Sequence, residues 1–110
     1  MEAPMRQLDF DLLRLLEVDR QGSHGTRRVR RYALLQMAET LHRLGYKGLR
    51  AKGLKGRHVD ALVGEWQRQG LCAGTMRNRM AHLRWWAAKV GKAGVVSRDN
   101  ASYGIRTDSR

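Results

Sequence analysis

The chain has 110 residues, a formal net charge of +12, one proline and one cysteine. This length suffices for one small domain, and 42% hydrophobic with 29% charged residues is the balance of a globular protein, which excludes a disordered chain. Apolar runs are too short for a membrane span, and the acidic N-terminus lacks the basic-then-apolar order of a signal peptide. We therefore expect no membrane partner. Because a single cysteine cannot form a disulfide within the chain, we expect a reducing cytoplasm.

Positive charge is concentrated in the middle of the chain. Residues 1–19 carry two basic and five acidic side chains (net −3), residues 20–98 carry eighteen and three (net +15), and residues 99–110 carry two of each. Surfaces that serve only solubility usually mix both signs. The imbalance therefore favours a polyanionic partner, above all nucleic acid.

The first two predicted helices cover about residues 6–20 and 27–44. Gly22 follows the first, Thr26 is a suitable N-cap for the second, and Gly45 stands where a helix C-terminal glycine belongs. Apolar residues recur at helical spacing in both segments. The side chains predicted to face the core are Leu8, Leu12, Leu15, Leu16, Leu34, Met37, Ala38, Leu41 and Leu44.

Residues 46–56 are predicted to form a basic loop punctuated by glycines. Leu49 and Leu54 should pin this loop to the core while its lysines and arginine stay in water. A third helix is predicted over about residues 57–69, ended by Gly70. Its inward-facing residues would be Val59, Leu62, Val63 and Trp66.

The fourth helix should begin at Thr75 and end at Gly91, with a core-facing stripe of Met76, Met80, Leu83, Ala87 and Val90. Trp85 and Trp86 are adjacent and so point about 100° apart. We therefore expect protein on more than one side of this helix. Residues 93–110 are predicted to be irregular. The whole indicates a small all-α bundle whose core consists of the leucines, three methionines and Trp66.

Motifs for catalysis are sparse. The four histidines, His24, His42, His58 and His82, show no metal-ligand spacing, the acidic residues are scattered, and a phosphate-binding loop is missing. The sequence thus predicts no catalytic residue, no metal and no cofactor. A helix N-terminus next to Cys72 favours its thiolate, but without a catalytic partner we interpret Cys72 as a cap or packing residue.

The basic residues are better sorted by position than by motif. Four arginines crowd the first turns of the second helix, namely Arg27, Arg28, Arg30 and Arg31. The helix dipole and mutual repulsion disfavour positive charge there, and phosphates would offset this cost. On the fourth helix, Asn78 and Arg79 suit base edges, whereas Thr75 and Arg77 suit phosphates. The tryptophans are interpreted as structural rather than as base-stacking residues.

Several short motifs follow one another in a characteristic order: Gly22-Ser23-x-x-Thr26, Leu54-Lys55-x-Arg57-His58-Val59, Leu62-Val63-x-x-Trp66, Gly70-Leu71, the run from Thr75 to Ala87, Val90-Gly91-Lys92, and Asn100-x-x-Tyr103-Gly104-Ile105. Together they resemble the N-terminal core-binding domain of phage and integrative-element integrases of the tyrosine recombinase class. The likeness covers about residues 22–105 and is most specific at residues 77–87 with Gly91 and Lys92. The sequence departs from the family pattern at Cys72, where a serine cap is usual.

The resemblance implies a four- to five-helix orthogonal bundle of the SAM-like type that grips one face of a recombination site. A following catalytic domain would close on the other face, so this chain would itself be non-catalytic, with Tyr103 in a linker rather than acting as nucleophile. Residues 1–21 would be an acidic N-terminal helix, 22–92 the DNA-binding core and 93–110 the linker. The implied partners are double-stranded DNA, the catalytic domain and, on assembled sites, other protomers in a bacterial cytoplasm.

The predicted DNA-binding residues are Arg27, Arg28, Arg31, Lys52, Lys55, Arg57, His58, Thr75, Arg77, Asn78, Arg79 and His82. Among them Asn78, Arg79 and His82 are expected near bases. The other arginines and the lysines are expected near phosphates. Two alternatives stay open. One is a helix-turn-helix regulator that binds a palindrome as a symmetric dimer. The other is a protein-interaction module whose basic face meets an acidic protein.

Overall fold

The computed structural model describes residues 6–19 and 24–105, and within these ranges the regular elements are all helical. The four α-helices are α1 (Gln7–Val18), α2 (His24–Arg43), α3 (Gly56–Arg68) and α4 (Ala73–Lys89). Short 3-10 turns cover Ala51–Gly53, Ala93–Val95 and Asn100–Tyr103. The prediction of a small all-α bundle is confirmed.

Two helices begin earlier than predicted. Thr26 lies within the first turn of α2, so its prediction as the N-cap is wrong, and the Gly22-Ser23 motif lies outside the described residues. Helix α4 starts at Ala73 with Cys72 as its N-cap, which places Thr75 inside the first turn. Capping preference locates a helix start only approximately, because threonine is also compatible with helical backbone angles.

Helices α1 and α2 are antiparallel neighbours. At one end the Arg6 guanidinium lies 3.5 Å from the Glu39 carboxylate, and at the other Arg27 donates to the Leu16 carbonyl oxygen at 2.9 Å. The leucine stripe of α1 is buried in the same core as the other helices. The boundary proposed at residue 21 therefore marks a change of charge, while packing continues across it.

The core matches its prediction in most positions. Met37, Met76, Met80 and Trp66 are buried with the leucines, and Trp86 joins them with 0% of its surface exposed. Leu44 departs most from the prediction, since it is 39% exposed, while Leu15 and Val90 are half-buried against the core. Helix α2 has already ended at Arg43, and the Tyr46 N–H closes the turn by donating to the Leu41 carbonyl at 2.9 Å. Gly45 permits that turn with a φ of +107°.

The adjacent tryptophans of α4 do contact protein on two sides. The Trp86 indole N–H donates to the Ala51 carbonyl at 2.9 Å, deep in the core. Half-buried Trp85 points the other way and donates to the Asp19 carboxylate at 3.1 Å. Leu54 is fully buried and Leu49 packs against the core, so the basic loop is pinned as expected.

The segment after α4 is more ordered than predicted. Besides its two 3-10 turns, Val96 and Ile105 are buried. Arg84 donates to the Ser97 carbonyl at 3.0 and 2.8 Å and to the Asn100 side-chain oxygen at 2.6 Å. Residues 93–105 therefore pack on the bundle through side-chain contacts that hydrophobic periodicity does not reveal.

We expect Trp86→Phe to lower the free energy of unfolding by about 1–3 kcal/mol, because it leaves the buried Ala51 carbonyl without its donor. The matched control is Tyr32→Phe. It removes the phenol oxygen that accepts a hydrogen bond from Gln36, on a side chain that is 66% exposed. Urea unfolding followed by circular dichroism measures both. Equal losses in the two variants would contradict the role assigned to Trp86.

Candidate nucleic-acid interface

The arginine cluster at the start of α2 splits into cations held by the protein and cations directed to solvent. Arg27 is half-buried, and its guanidinium donates to the last turn of α1 at Leu16. That turn is a helix C-terminus, where a positive charge is stabilising. Arg28 and Arg31 are exposed and line an open groove along α1. Only part of the cluster therefore needs an external anion to explain it.

Arg30 joins α2 to α4. Its guanidinium carbon lies 4.9 Å from the centre of the Trp85 ring, and its Nε donates to His82 Nδ1 at 3.4 Å. Arg30 was predicted only as a member of the arginine cluster and was not among the predicted DNA-binding residues. Its position one turn before Leu34, on the core side of α2, was the available signal.

The predicted site residues of α4 do not share one face. Exposed Asn78 and half-buried His82 are one turn apart on the side next to α2. Arg77 is half-buried and lies about 140° around the helix from His82. The Arg79 guanidinium lies 5.6 Å from the Trp66 ring centre, so this cation is partly engaged by α3. Asn78 and His82 are thus the pair that the fold brings together.

His58 has a structural position. The side chain is only 6% exposed, and its Nδ1 accepts the Lys55 backbone N–H at 2.9 Å, which caps the start of α3. The ring also packs edge-on against Tyr46, with centroids 4.7 Å apart. This geometry favours a capping role for His58 over the predicted contact with DNA. The neighbouring cations of the loop, Lys52, Lys55 and Arg57, are exposed as expected.

Buried His58 and half-buried His82 are both biased towards the neutral form. Burial lowers the pKa of His58, and the charges of Arg57, Lys55 and Lys92 lower it further. These three cations therefore form a second basic patch, at the start of α3. Burial also lowers the pKa of His82, and Arg30 adds to that effect.

Asp11 of α1 and Asp19, the C-cap of this helix, are paired with cations of the same chain. Asp11 accepts two hydrogen bonds from Arg50, at 2.8 and 3.1 Å, and one from the Ala51 N–H at 3.0 Å. These contacts hold the pKa of Asp11 at about 2. Asp19 lies 3.6 Å from the Lys89 ammonium nitrogen. These two carboxylates therefore neutralise Arg50 and Lys89 rather than the arginines of α2.

The comparison with protein families gives one match: the family model of the N-terminal domain of phage integrases, which is SAM-like, covers residues 5–96. The chain belongs to this family. The comparison with curated proteins and the comparison with solved structures return no match. Because the matched range includes α1, the acidic helix is part of the integrase N-terminal domain. The predicted resemblance is confirmed, and the domain has a recombinase-related, non-catalytic role.

Other chemistry in the integrase domain is limited. The exposed Cys72 thiol lies 3.3 Å from the Thr75 hydroxyl, and this hydrogen bond lowers its pKa. Among the described residues, no three His, Cys, Asp or Glu side chains come together in a way that would hold a metal ion. In the same ranges no helix combines the length and apolar content that a bilayer crossing requires.

The buried histidine predicts a pH dependence of stability. The pKa of folded His58 is below that of the unfolded chain, which is about 6.5, so the unfolded chain binds the proton first as pH falls. The free energy of unfolding should therefore decrease as pH is lowered from 7.5 through 6.5. His58→Gln keeps a hydrogen-bond acceptor but cannot titrate.

The check is urea unfolding of the integrase domain and of its His58→Gln variant between pH 5.5 and 7.5. The variant should lose less stability than the wild type over this interval, since His82 is common to both. Identical pH profiles would show that His58 does not contribute.

Proposed function

We propose that this domain is the DNA-binding arm of a site-specific recombinase, which grips the duplex of a recombination site and positions a separate catalytic domain. Family membership supports a recombinase-related role. The DNA-gripping part of the proposal rests on the arrangement of α2 and α4. One observation underlies it: Arg30 joins these two helices at the level of their exposed polar residues.

The two helices offer different groups to a duplex. Asn78 and His82 of α4 are hydrogen-bonding side chains of the kinds that contact base edges. Arg28 and Arg31 lie on the side of α2 that faces away from α4, where they line the protein surface groove next to α1. A helix with its side chains is about 10 Å wide, and the major groove is about 12 Å wide. If α4 lies in the major groove of DNA, Arg28 and Arg31 of α2 would be placed to meet phosphates along one edge of that major groove.

The second basic patch supports the same placement. Lys55 and Arg57 at the start of α3 and Lys92 after α4 are close enough to lower the pKa of His58 together. Such clustered cations repel one another in the free protein, and phosphates would relieve the repulsion. Lys52 of the pinned loop is exposed and adds a further positive charge.

The proposal predicts salt-sensitive binding. If about five phosphates are neutralised, the logarithm of the binding constant should fall with the logarithm of the salt concentration with a slope of about −4 to −5. Replacing Arg28 and Arg31 together by alanine should make the slope less negative by about 2. Fluorescence anisotropy of a labelled duplex across a salt series measures this.

The matched control replaces Arg43 and Arg68 by alanine. It removes the same charge from the C-terminal ends of α2 and α3, where the two arginines pair with Glu39 and Glu65. This variant should keep the wild-type slope. A wild-type slope near zero, or equal changes in both variants, would contradict the proposed interface. Absent binding at low salt would favour an acidic protein partner instead.

A further inference from the structure

The tautomer of His82 is defined by its partner on α2. His82 Nδ1 accepts a hydrogen bond from Arg30 Nε at 3.4 Å. Arginine is always protonated and has no acceptor, so Nδ1 must be the unprotonated nitrogen. In a neutral imidazole the remaining proton is then on Nε2, which makes that nitrogen a donor.

The neutral state of His82 is favoured by its surroundings. The side chain is half-buried between α2 and α4, and the Arg30 charge beside it opposes a second positive charge. A doubly protonated ring would also lose its bond from Arg30, since both ring nitrogens would then be donors.

Arg30 is itself held in place. Its guanidinium stacks on Trp85, 4.9 Å from the ring centre, and the indole N–H of this tryptophan donates to Asp19. The Lys89 ammonium lies 5.7 Å from the same ring centre and 3.6 Å from Asp19. Asp19 at the end of α1 thus binds Trp85 of α4, and Trp85 packs against Arg30 of α2. Arg30 in turn binds His82.

We infer that Arg30 is a positioning residue that holds His82 as an Nε2–H donor, and that His82 thereby reads a base edge rich in acceptors, that of guanine. Guanine presents two acceptors, N7 and O6, in the major groove, adenine N7 stands beside an amino donor, thymine O4 stands beside a methyl group, and cytosine presents only an amino donor. A histidine locked as a donor therefore rejects cytosine, and guanine, with two adjacent acceptors and no competing donor or methyl group, is the edge that fits it best. The inference deepens the proposed function and rests on it for the contact with DNA.

The tautomer is tested first, on the free domain. Long-range proton–nitrogen NMR correlations distinguish a protonated from an unprotonated ring nitrogen, and at pH 7.5 they should show His82 with the proton on Nε2. Arg30→Met keeps an apolar stem against Trp85 but removes the donor, so the two tautomers should become mixed. Arg28→Met, an equal change two residues away on the exposed flank, should leave the wild-type pattern. An Nδ1–H tautomer in the wild type, or identical spectra in both variants, would overturn the positioning role.

The base contact is tested with a duplex selected from a random pool by the wild-type domain. Replacing its guanines by 7-deazaguanine removes N7 and leaves the phosphates unchanged. We expect about a fivefold loss of affinity for the wild type, and the same loss for Arg28→Met, which binds both duplexes more weakly. His82→Ala should show little difference between the two duplexes, and Arg30→Met, with mixed tautomers, should show a smaller difference than the wild type. An equal penalty in His82→Ala and the wild type would overturn the reading of guanine, whereas absent duplex binding would overturn the proposed function together with it.

Discussion

The fold depends on two adjacent indole groups on one helix. Neighbouring residues of an α-helix point about 100° apart, and a buried tryptophan needs a partner for its N–H. Trp86 finds the Ala51 carbonyl in the basic loop, and Trp85 finds the Asp19 carboxylate just past the end of α1. Helix α4 cannot rotate about its axis without breaking both bonds. Its outward side chains, Asn78 and His82 among them, are therefore held in one orientation.

The same constraint organises the charges. Because Asp19 binds Trp85, the end of α1 lies beside Lys89 of α4. Asp11, eight residues before Asp19, pairs with Arg50. Asp11 and Asp19 are thus paired with cations other than the arginines at the start of α2. Arg28 and Arg31 remain exposed, as do the cations around the start of α3. The net charge of the sequence becomes a surface with positive patches at the start of α2 and at the start of α3.

Hydrophobic periodicity was sufficient to predict the helices and nearly all of the core. Periodicity failed at Leu44, because the helix ends one residue earlier. The N-cap prediction failed at Thr26, because capping preference is a weak guide to a helix start. The order after Lys92 was missed because it depends on Arg84 reaching the Ser97 carbonyl, a polar contact without a sequence period. The exposure of Leu44 and the packing of residues 93–105 both depend on turns rather than on helices.

The candidate site was less predictable than the fold. Residue type selects the cations as a class, but whether a given side chain is used inside the protein depends on tertiary neighbours. His58 caps α3, Arg27 caps α1 and Arg79 lies against Trp66, whereas Arg28 and Asn78 are exposed. Arg30 was not selected at all, since its link to His82 joins residues 52 positions apart.

The central claim is that one surface, made by the start of α2 and by α4, meets DNA. The most direct measurement is a titration of the isotope-labelled domain with duplex DNA, followed by the backbone amide resonances in a proton–nitrogen NMR spectrum. The account predicts that shifts concentrate at residues 24–31 and 75–89, with smaller shifts at residues 52–57. Shifts concentrated instead at the C-terminal end of α3 and in residues 97–105, with the α2 and α4 amides unchanged, would contradict it.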